Sequence, residues 1–285
     1  MSTIGSHRRL QGRDEPFFIG GSYAIAVAYA LVILVPVYFV IVSSFKDTNE
    51  IYRAPLGLPD SFSLVKYVSA VSKADLLRAM GYSFGITAAT EVLTLVLAFP
   101  AAYAIARIPT RLGPVSEIIF SFGFLVPAFA MLVPVYITMS ALGLLYNPLA
   151  LIIFYPATML SLSIILLASY MRDVPRELEE SAELDGATRP QMMVYIFFPL
   201  ARSGIATLLV LNFLHVWNEF LFALVLLSSK NRTVQVAATS LRAERVADFG
   251  LIAAGVVIIS LPAFLVFALF QERIVVGLTA GATKG

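Results

Sequence analysis

The sequence predicts an all-α polytopic membrane protein with six transmembrane helices. Two observations carry this. Of 285 residues, 59% are apolar and only 13% are charged, whereas a soluble domain carries about 25% charged residues. Residues 118–171 also run without a single Asp, Glu, Lys or Arg. That is far beyond the roughly 18 apolar residues that indicate one span.

Six stretches qualify as spans: 22–44, 82–106, 117–140, 146–170, 204–228 and 249–271. As a helix, each is long enough to cross about 30 Å of hydrocarbon with its backbone polar groups paired internally. A β-barrel would instead show alternating segments of about ten residues. The basic N-terminus, with Arg8, Arg9 and Arg13, resembles a signal peptide. The apolar run behind it is too long for a signal core and no small-residue cleavage site follows, so it reads as a retained first span.

The intervals differ in character. Residues 1–21 precede the first span, and 45–81 form a polar segment with a short helix expected near Lys73 to Met80. Residues 107–116 are a brief basic connection, and Asn147-Pro148 marks a tight turn. Residues 82–271 make up the core, interrupted by a charged segment at 171–203 and a polar loop at 229–248, and 272–285 form the tail. An even number of spans puts both termini on one side. Lys and Arg divide 11 against 9 between the two sides, too even to orient the chain by the positive-inside rule.

Other classes find little support. The net charge of +2 implies no nucleic-acid partner. There are no cysteines, and His7 and His215 are the two histidines, too far apart for a metal cluster.

Residues 171–203 are the informative segment. A helix–helix connection needs about 2–8 residues, so this stretch must hold structure of its own. Asp173 is a candidate N-cap with Pro175 in the first turn. Arg176 to Leu184 contains good helix formers, with Leu178, Ser181, Ala182 and Asp185 on one side. Gly186 suits a left-handed C-cap, and Thr188 with Gln191 matches a capping box. A second helix is expected through Met192 to Phe198, leading past Pro199 into the fifth span. Six acids and three arginines lie between Arg172 and Arg189. That balance suits a protein surface, and a solvated charged loop is the plainer alternative.

Glu180-Ser181-Ala182, then Gly186, then Ile196-Phe197-Phe198-Pro199 resembles the EAA signature of ABC importer permeases, with matched spacing throughout. Ser181 stands where the family has Ala, and Phe198 where it has Leu. The run Ala101-Ala102-Tyr103-Ala104-Ile105-Ala106-Arg107 is similar to the family's AAYALAR ending of an early span. Trp217-Asn218-Glu219-Phe220 and the tail from Gly277 to Gly285 are similar to segments of its carbohydrate permeases. The resemblance implies a type I importer permease fold with a cytoplasmic coupling helix. Glu180, Ser181, Ala182, Asp185 and Gly186 would then contact an ATPase subunit. It also implies a prokaryotic cell membrane with both termini cytoplasmic. The implied partners are a second permease, two ATPase subunits and an extracytoplasmic solute-binding protein facing residues 45–81 and 229–248. The chain lacks the G-x-x-x-x-G-K-[ST] phosphate loop. ATP and magnesium are therefore expected on the ATPase subunits, with no cofactor or catalytic residue here.

Ionisable groups in mid-membrane are costly and usually face a cavity or a partner. On that ground Glu91, Asn212, Trp217, Asn218 and Glu219 are candidate pathway or gating residues. The alternative is polar contact between helices, and for Asn218 and Glu219 a structural or gating role is favoured over direct sugar binding. His215 reads as a packed polar residue, and Tyr136, Tyr155, Thr158 and Ser161 are weaker candidates. Prolines at 36, 100, 127, 134, 156 and 262 fall inside expected spans, where they can kink a helix. A secondary transporter or channel remains a rival reading, although the spans hold only Glu91 and Glu219 for an ion relay. An intramembrane hydrolase would need an HExxH, GxGD or GxSG motif, and none occurs.

Overall fold

In the computed structural model the described residues are 15–109, 112–242 and 248–282. Residues 1–14 of the expected N-terminal segment, 243–247 of the loop 229–248 and the last three residues of the tail lie outside them. The described residues are mostly helical and include no strand. They begin with α1 (Glu15–Ser43), α2 (Thr48–Arg53), α3 (Val65–Lys73) and α4 (Leu76–Arg107), followed by α5 (Leu112–Phe122), α6 (Ala128–Ala141) and α7 (Leu149–Arg172). Then come α8 (Arg176–Leu184), α9 (Arg189–Met192), α10 (Phe198–Leu200), α11 (Arg202–Asn218), α12 (Leu221–Leu226), α13 (Val234–Ala238) and α14 (Phe249–Ala282). Among the described residues, α1, α4, α7 and α14 are each long and apolar enough to cross a bilayer alone.

Two of the six expected spans are not continuous. The stretch 117–140 is divided into α5 and α6 by a 3₁₀ turn at Gly123–Leu125 and extended backbone at Val126 and Pro127. Proline biases the residue before it toward extended conformations, so Pro127 breaks the span outright. Pro36, Pro100, Pro134, Pro156 and Pro262 stay inside helices. The stretch 204–228 is divided at Glu219, where the backbone turns extended between α11 and α12. At its other end α11 bends by 75° from the Arg189–Leu200 segment.

Boundaries shift elsewhere. The helix expected near Lys73 to Met80 is in fact the end of α3 and the start of α4, separated by Asp75 in the left-handed region at φ 48°. Aspartate tolerates that conformation better than most residues. Asp173 ends α7 instead of capping α8, and Pro175 takes the N-cap position. The helix α14 continues to Ala282, past the expected end at 271.

The spine is the pairing of α4 with α7, the most extensive in the fold. Near one end Ala98 and Ala102 meet Ile164, Leu167 and Ala168, with Phe197, Ile205 and Leu208 closing the cluster. Small residues on both helices let the backbones approach closely, which drives packing where lipid offers no hydrophobic gain. A second cluster joins α6, the start of α7 and α12 through Val135, Met139, Leu151, Tyr155 and Phe222. A third joins α3, α13 and α14 around Trp217.

At the end of the bundle where α1 finishes and α14 starts, three segments are clamped by lysines. The Lys46 ammonium is fully buried and donates to the carbonyls of Ala54 and Gly57 at 2.7 and 2.5 Å. Its own carbonyl lies so close to Gly250 that a Cβ there would collide with backbone. Lys66 bridges Asp47 and Asp248, both at 2.7 Å, and Asp248 also accepts the Leu251 N–H at 3.0 Å. Burial raises the Asp248 carboxyl, but the Lys66 hydrogen bond, the backbone N–H groups and the lysine charge outweigh it and hold the group below its ordinary value of 3.8. Burial likewise lowers Lys66, and its two carboxylate partners outweigh that and hold it above 10.5.

The clamp therefore contributes its full stability between those two ordinary values. Its contribution is lost as pH falls through the lowered Asp248 value or rises through the raised Lys66 value. Lys66→Met is expected to lower Tm in detergent by a few degrees at pH 7. The gap between variant and wild type should close as the buffer is acidified below the ordinary carboxylate range. Differential scanning fluorimetry across pH measures both effects.

Candidate coupling segment and intramembrane polar sites

The segment after α7 builds a free-standing helix. Among its nine residues α8 has none buried. It ends in a Schellman motif: Gly186 adopts φ 81°, its N–H donates to Glu183 at 3.0 Å and the Ala187 N–H donates to Ala182 at 2.9 Å. Glycine takes the left-handed position without a Cβ clash. The chain then re-enters a helix at Thr188, whose N–H donates to the Gln191 side chain at 2.8 Å within a capping box. Residues Met193–Phe197 form a π-helical turn, with the Phe198 N–H reaching back to the Met193 carbonyl. Pro199 follows and has no N–H to offer Tyr195, so a wider turn there leaves fewer groups unpaired.

On this frame Glu180, Ser181, Asp185 and Gly186 are exposed and Ala182 is half-buried. Leu184, 90% exposed, stands among them, and Leu178 is exposed on the same helix. The residue before Glu180 behaves differently. Glu179 turns inward, where Tyr103 donates to it at 3.4 Å and Arg107 pairs with it at 3.8 Å. Sequence reasoning passed over Leu184, Glu179 and the role of Arg107. The available signal was the doubled Glu179-Glu180, whose neighbours on a helix must point about 100° apart.

The intramembrane candidates do not form one site. Glu91 lies on α4 beside an apolar groove of about 500 Å³. Its carboxyl oxygens are shielded and lack a well-aligned partner, although the Asn212 amide on α11 lies close enough to interact. Asn212 is itself buried and donates to Ser163 on α7 at 3.4 Å. Thr87, Thr90 and Thr94 continue a buried polar line along α4.

Trp217 is packed, not lining. Its Nε1 donates to the Ile259 carbonyl at 3.1 Å, and its ring stacks on Phe213 at 5.5 Å and meets Phe84 at 4.8 Å. Asn218 is exposed and lines an open groove of about 430 Å³ with Gln235, Ser260 and Phe264. His215, expected to be packed, is instead exposed on α11.

Glu219 has a structural task. One carboxylate oxygen accepts the Phe222 N–H at 2.8 Å, and the other accepts the Ala223 N–H at 3.1 Å and the Tyr155 hydroxyl at 2.6 Å. It accepts N–H groups of the first turn of α12, which no preceding turn of helix can satisfy. Tyr155, read as a weak candidate, is thus joined to Glu219. Thr158 donates to the Tyr155 carbonyl, Ser161 faces Gly123 at the break in span three, and Tyr136 stays partly exposed.

Residues 94–276 match the family described as the binding-protein-dependent transport system inner membrane component. This chain belongs to that family. The matched region includes the last part of α4, all of α7, the α8 segment and the Glu219 break. A trehalose transport system permease of Mycobacterium tuberculosis is 32% identical, covering 92% of this chain and 95% of that protein. A sulfoquinovosyl glycerol transport system permease of Agrobacterium fabrum is 31% identical over the full length of both chains. A diacetylchitobiose uptake system permease of Streptomyces coelicolor is 28% identical over 97% of this chain and 92% of its own. Among solved structures, a bacterial ABC transporter involved in alginate import superposes with a TM-score of 0.79. It has 23% identity and covers 95% of this chain and 99% of its own. The fold is therefore that of an ABC importer permease, and the transport role expected from the motifs holds at the level of the family.

For this permease, the Glu219 contacts make a direct prediction. Glu219→Ala strips two N–H groups and a buried tyrosine hydroxyl of their acceptor, each worth about 1 kcal/mol or more. It should lower Tm clearly more than Tyr155→Phe, which removes a single bond. Thermal unfolding of both variants in the same detergent measures the difference.

Proposed function

We propose that this permease joins a second permease to form the translocation pathway of an ATP-driven carbohydrate importer. In this reading residues 171–203 dock on cytoplasmic ATPase subunits. The observation that carries the proposal is α8 itself. It is a short helix closed at its C-terminus by the Gly186 turn, with none of its residues buried and Leu184 90% exposed among the described residues. Monomeric proteins seldom leave such an element uncovered unless it binds something.

Carbohydrate is the solute class because the named substrates of the relatives, from trehalose to diacetylchitobiose, are saccharides or their derivatives. ATP and magnesium belong to the two ATPase subunits, and this chain carries no catalytic residue. With α8 on the cytoplasmic side, the termini are cytoplasmic too, and the lysine-clamped end faces outward. There a solute-binding protein delivers substrate against residues 45–81 and 229–248. A solved alginate transporter in complex with a pentasaccharide-bound periplasmic protein has this kind of assembly, at a TM-score of 0.57 to this chain. Glu180, Ser181, Ala182, Asp185 and Gly186 form the docking face. Glu180 is free to make a charge-assisted contact, since the inward carboxylate is that of Glu179.

Beyond its two chain neighbours, no atom lies within 4 Å of a Cβ added at Gly186, and its φ of 81° is the one constraint within the chain. A conservative and a large replacement therefore have to be compared. Gly186→Asn, which tolerates the left-handed region, is expected to retain co-purification of the ATPase subunits. Gly186→Trp is expected to lose it by at least tenfold. If Gly186→Trp assembles and hydrolyses ATP like wild type, residues 171–203 are not the coupling segment.

A further inference from the structure

The Tyr103–Arg107 end of α4 touches every element that meets at the base of α8. One guanidinium nitrogen of Arg107 donates to the Met171 carbonyl at 2.5 Å and also to the Val174 carbonyl. These belong to the last turn of α7 and the linker into α8. The other terminal nitrogen pairs with Glu179 on α8 at 3.8 Å. The guanidinium carbon also lies 5.0 Å from the centre of the Phe197 ring, in the π turn that leads toward α11. Tyr103, one turn earlier, reaches Glu179 with its hydroxyl and packs edge-on to Phe197 at 5.0 Å between ring centres. The Arg107 side chain is 5% exposed and that of Glu179 is 17% exposed. The pair is largely shielded at the edge of an open polar groove that Arg107 lines with Arg172 and Asp173, and a partly buried ion pair is screened less than an exposed one.

We propose that Arg107, with Tyr103, is the positioning residue of the coupling segment, and that it ties α8 rigidly to the ends of α4 and α7. The inference rests on the coupling reading above and adds how movement of α8 reaches the spans. No single turn of backbone joins α8 to α4; the two meet through these side chains. A displacement of α8 therefore either carries the end of α4 with it or breaks both Glu179 contacts, to Arg107 and to Tyr103, and pulls on the Val174 carbonyl that Arg107 holds in the linker.

Arginine is required by geometry. Its planar fork serves two carbonyls, a carboxylate and an aromatic face together, which a lysine ammonium cannot do. Adjacent glutamates divide the work. Glu179 faces inward and fixes the helix, while Glu180 faces outward and stays available to the partner.

The test uses the assembled importer in proteoliposomes, with spin labels at Glu183, exposed near the end of α8, and at Val96, exposed on α4. Double electron–electron resonance is recorded without nucleotide and after trapping with MgATP and vanadate. In the otherwise native protein the distance distribution should stay equally narrow in both states, because the labelled helices move as one body. With Arg107→Lys it should broaden at least twofold after trapping. The ratio of ATPase activity with and without the solute-binding protein should fall at least threefold in the same variant. Glu179→Gln, which keeps shape and the Tyr103 hydrogen bond, should shift both readouts in the same direction by less.

An unchanged width and ratio in Arg107→Lys would overturn the proposal. So would loss of the assembled complex in both variants, which would make the cluster a folding element only. Failure of the coupling reading itself shows separately, as normal ATPase docking in Gly186→Trp.

Discussion

Every backbone N–H and carbonyl in the hydrocarbon must find a partner within the protein, because neither lipid nor water supplies one there. Long helices meet that demand along their length but not at their ends. This chain has helix ends between and beside its apolar spans, and at three places a charged side chain completes the bonding. Glu219 accepts the first N–H groups of α12. Arg107 takes the carbonyls that α7 and its linker leave open. Lys46 does the same for the turn after α2. Arginine and lysine suit such places, since a charge-assisted bond is roughly twice as strong as a neutral one.

The same residues also tie distant parts of the chain together. Glu219 brings Tyr155 of α7 to the break beside α12, within the cluster that holds α6. Arg107 joins α4, α7, α8 and the π turn. Between them runs the α4–α7 spine, packed through alanines at one end and larger residues at the other. The two ends of the bundle differ accordingly. One is a compact clamp of lysines and aspartates. The other presents α8, held at its base and open along its length.

Periodicity and hydropathy made the helical class and most span positions legible. Turn chemistry made the α8 segment legible almost residue by residue: Gly186 occupies the left-handed position expected of it, and Thr188 with Gln191 forms the expected capping box. These signals are local, since each depends on a few neighbouring dihedrals. Hydropathy does not report continuity. The runs 117–140 and 204–228 stay apolar across their breaks, and only Pro127 hinted at the first. At the second, Glu219 looked like a candidate for the pathway. Its carboxylate is occupied by backbone and Tyr155, partners far away or facing back along the chain.

The sequence alone determined that this is a helical membrane protein and where its one free-standing segment lies. It also determined that the helix ends at Gly186 and restarts at Thr188, and which family signature the segment carries, although not where the helix begins. Those features follow from composition and from contacts within about five residues. Only the tertiary structure decided which of two neighbouring glutamates faces inward, because that depends on Arg107, more than seventy residues earlier in the chain. It also decided that Trp217 is packed against Phe213 and Ile259 while Asn218 faces a groove, although the two are adjacent in one motif. A motif names the residues, and the helices packed around it determine which way each one points.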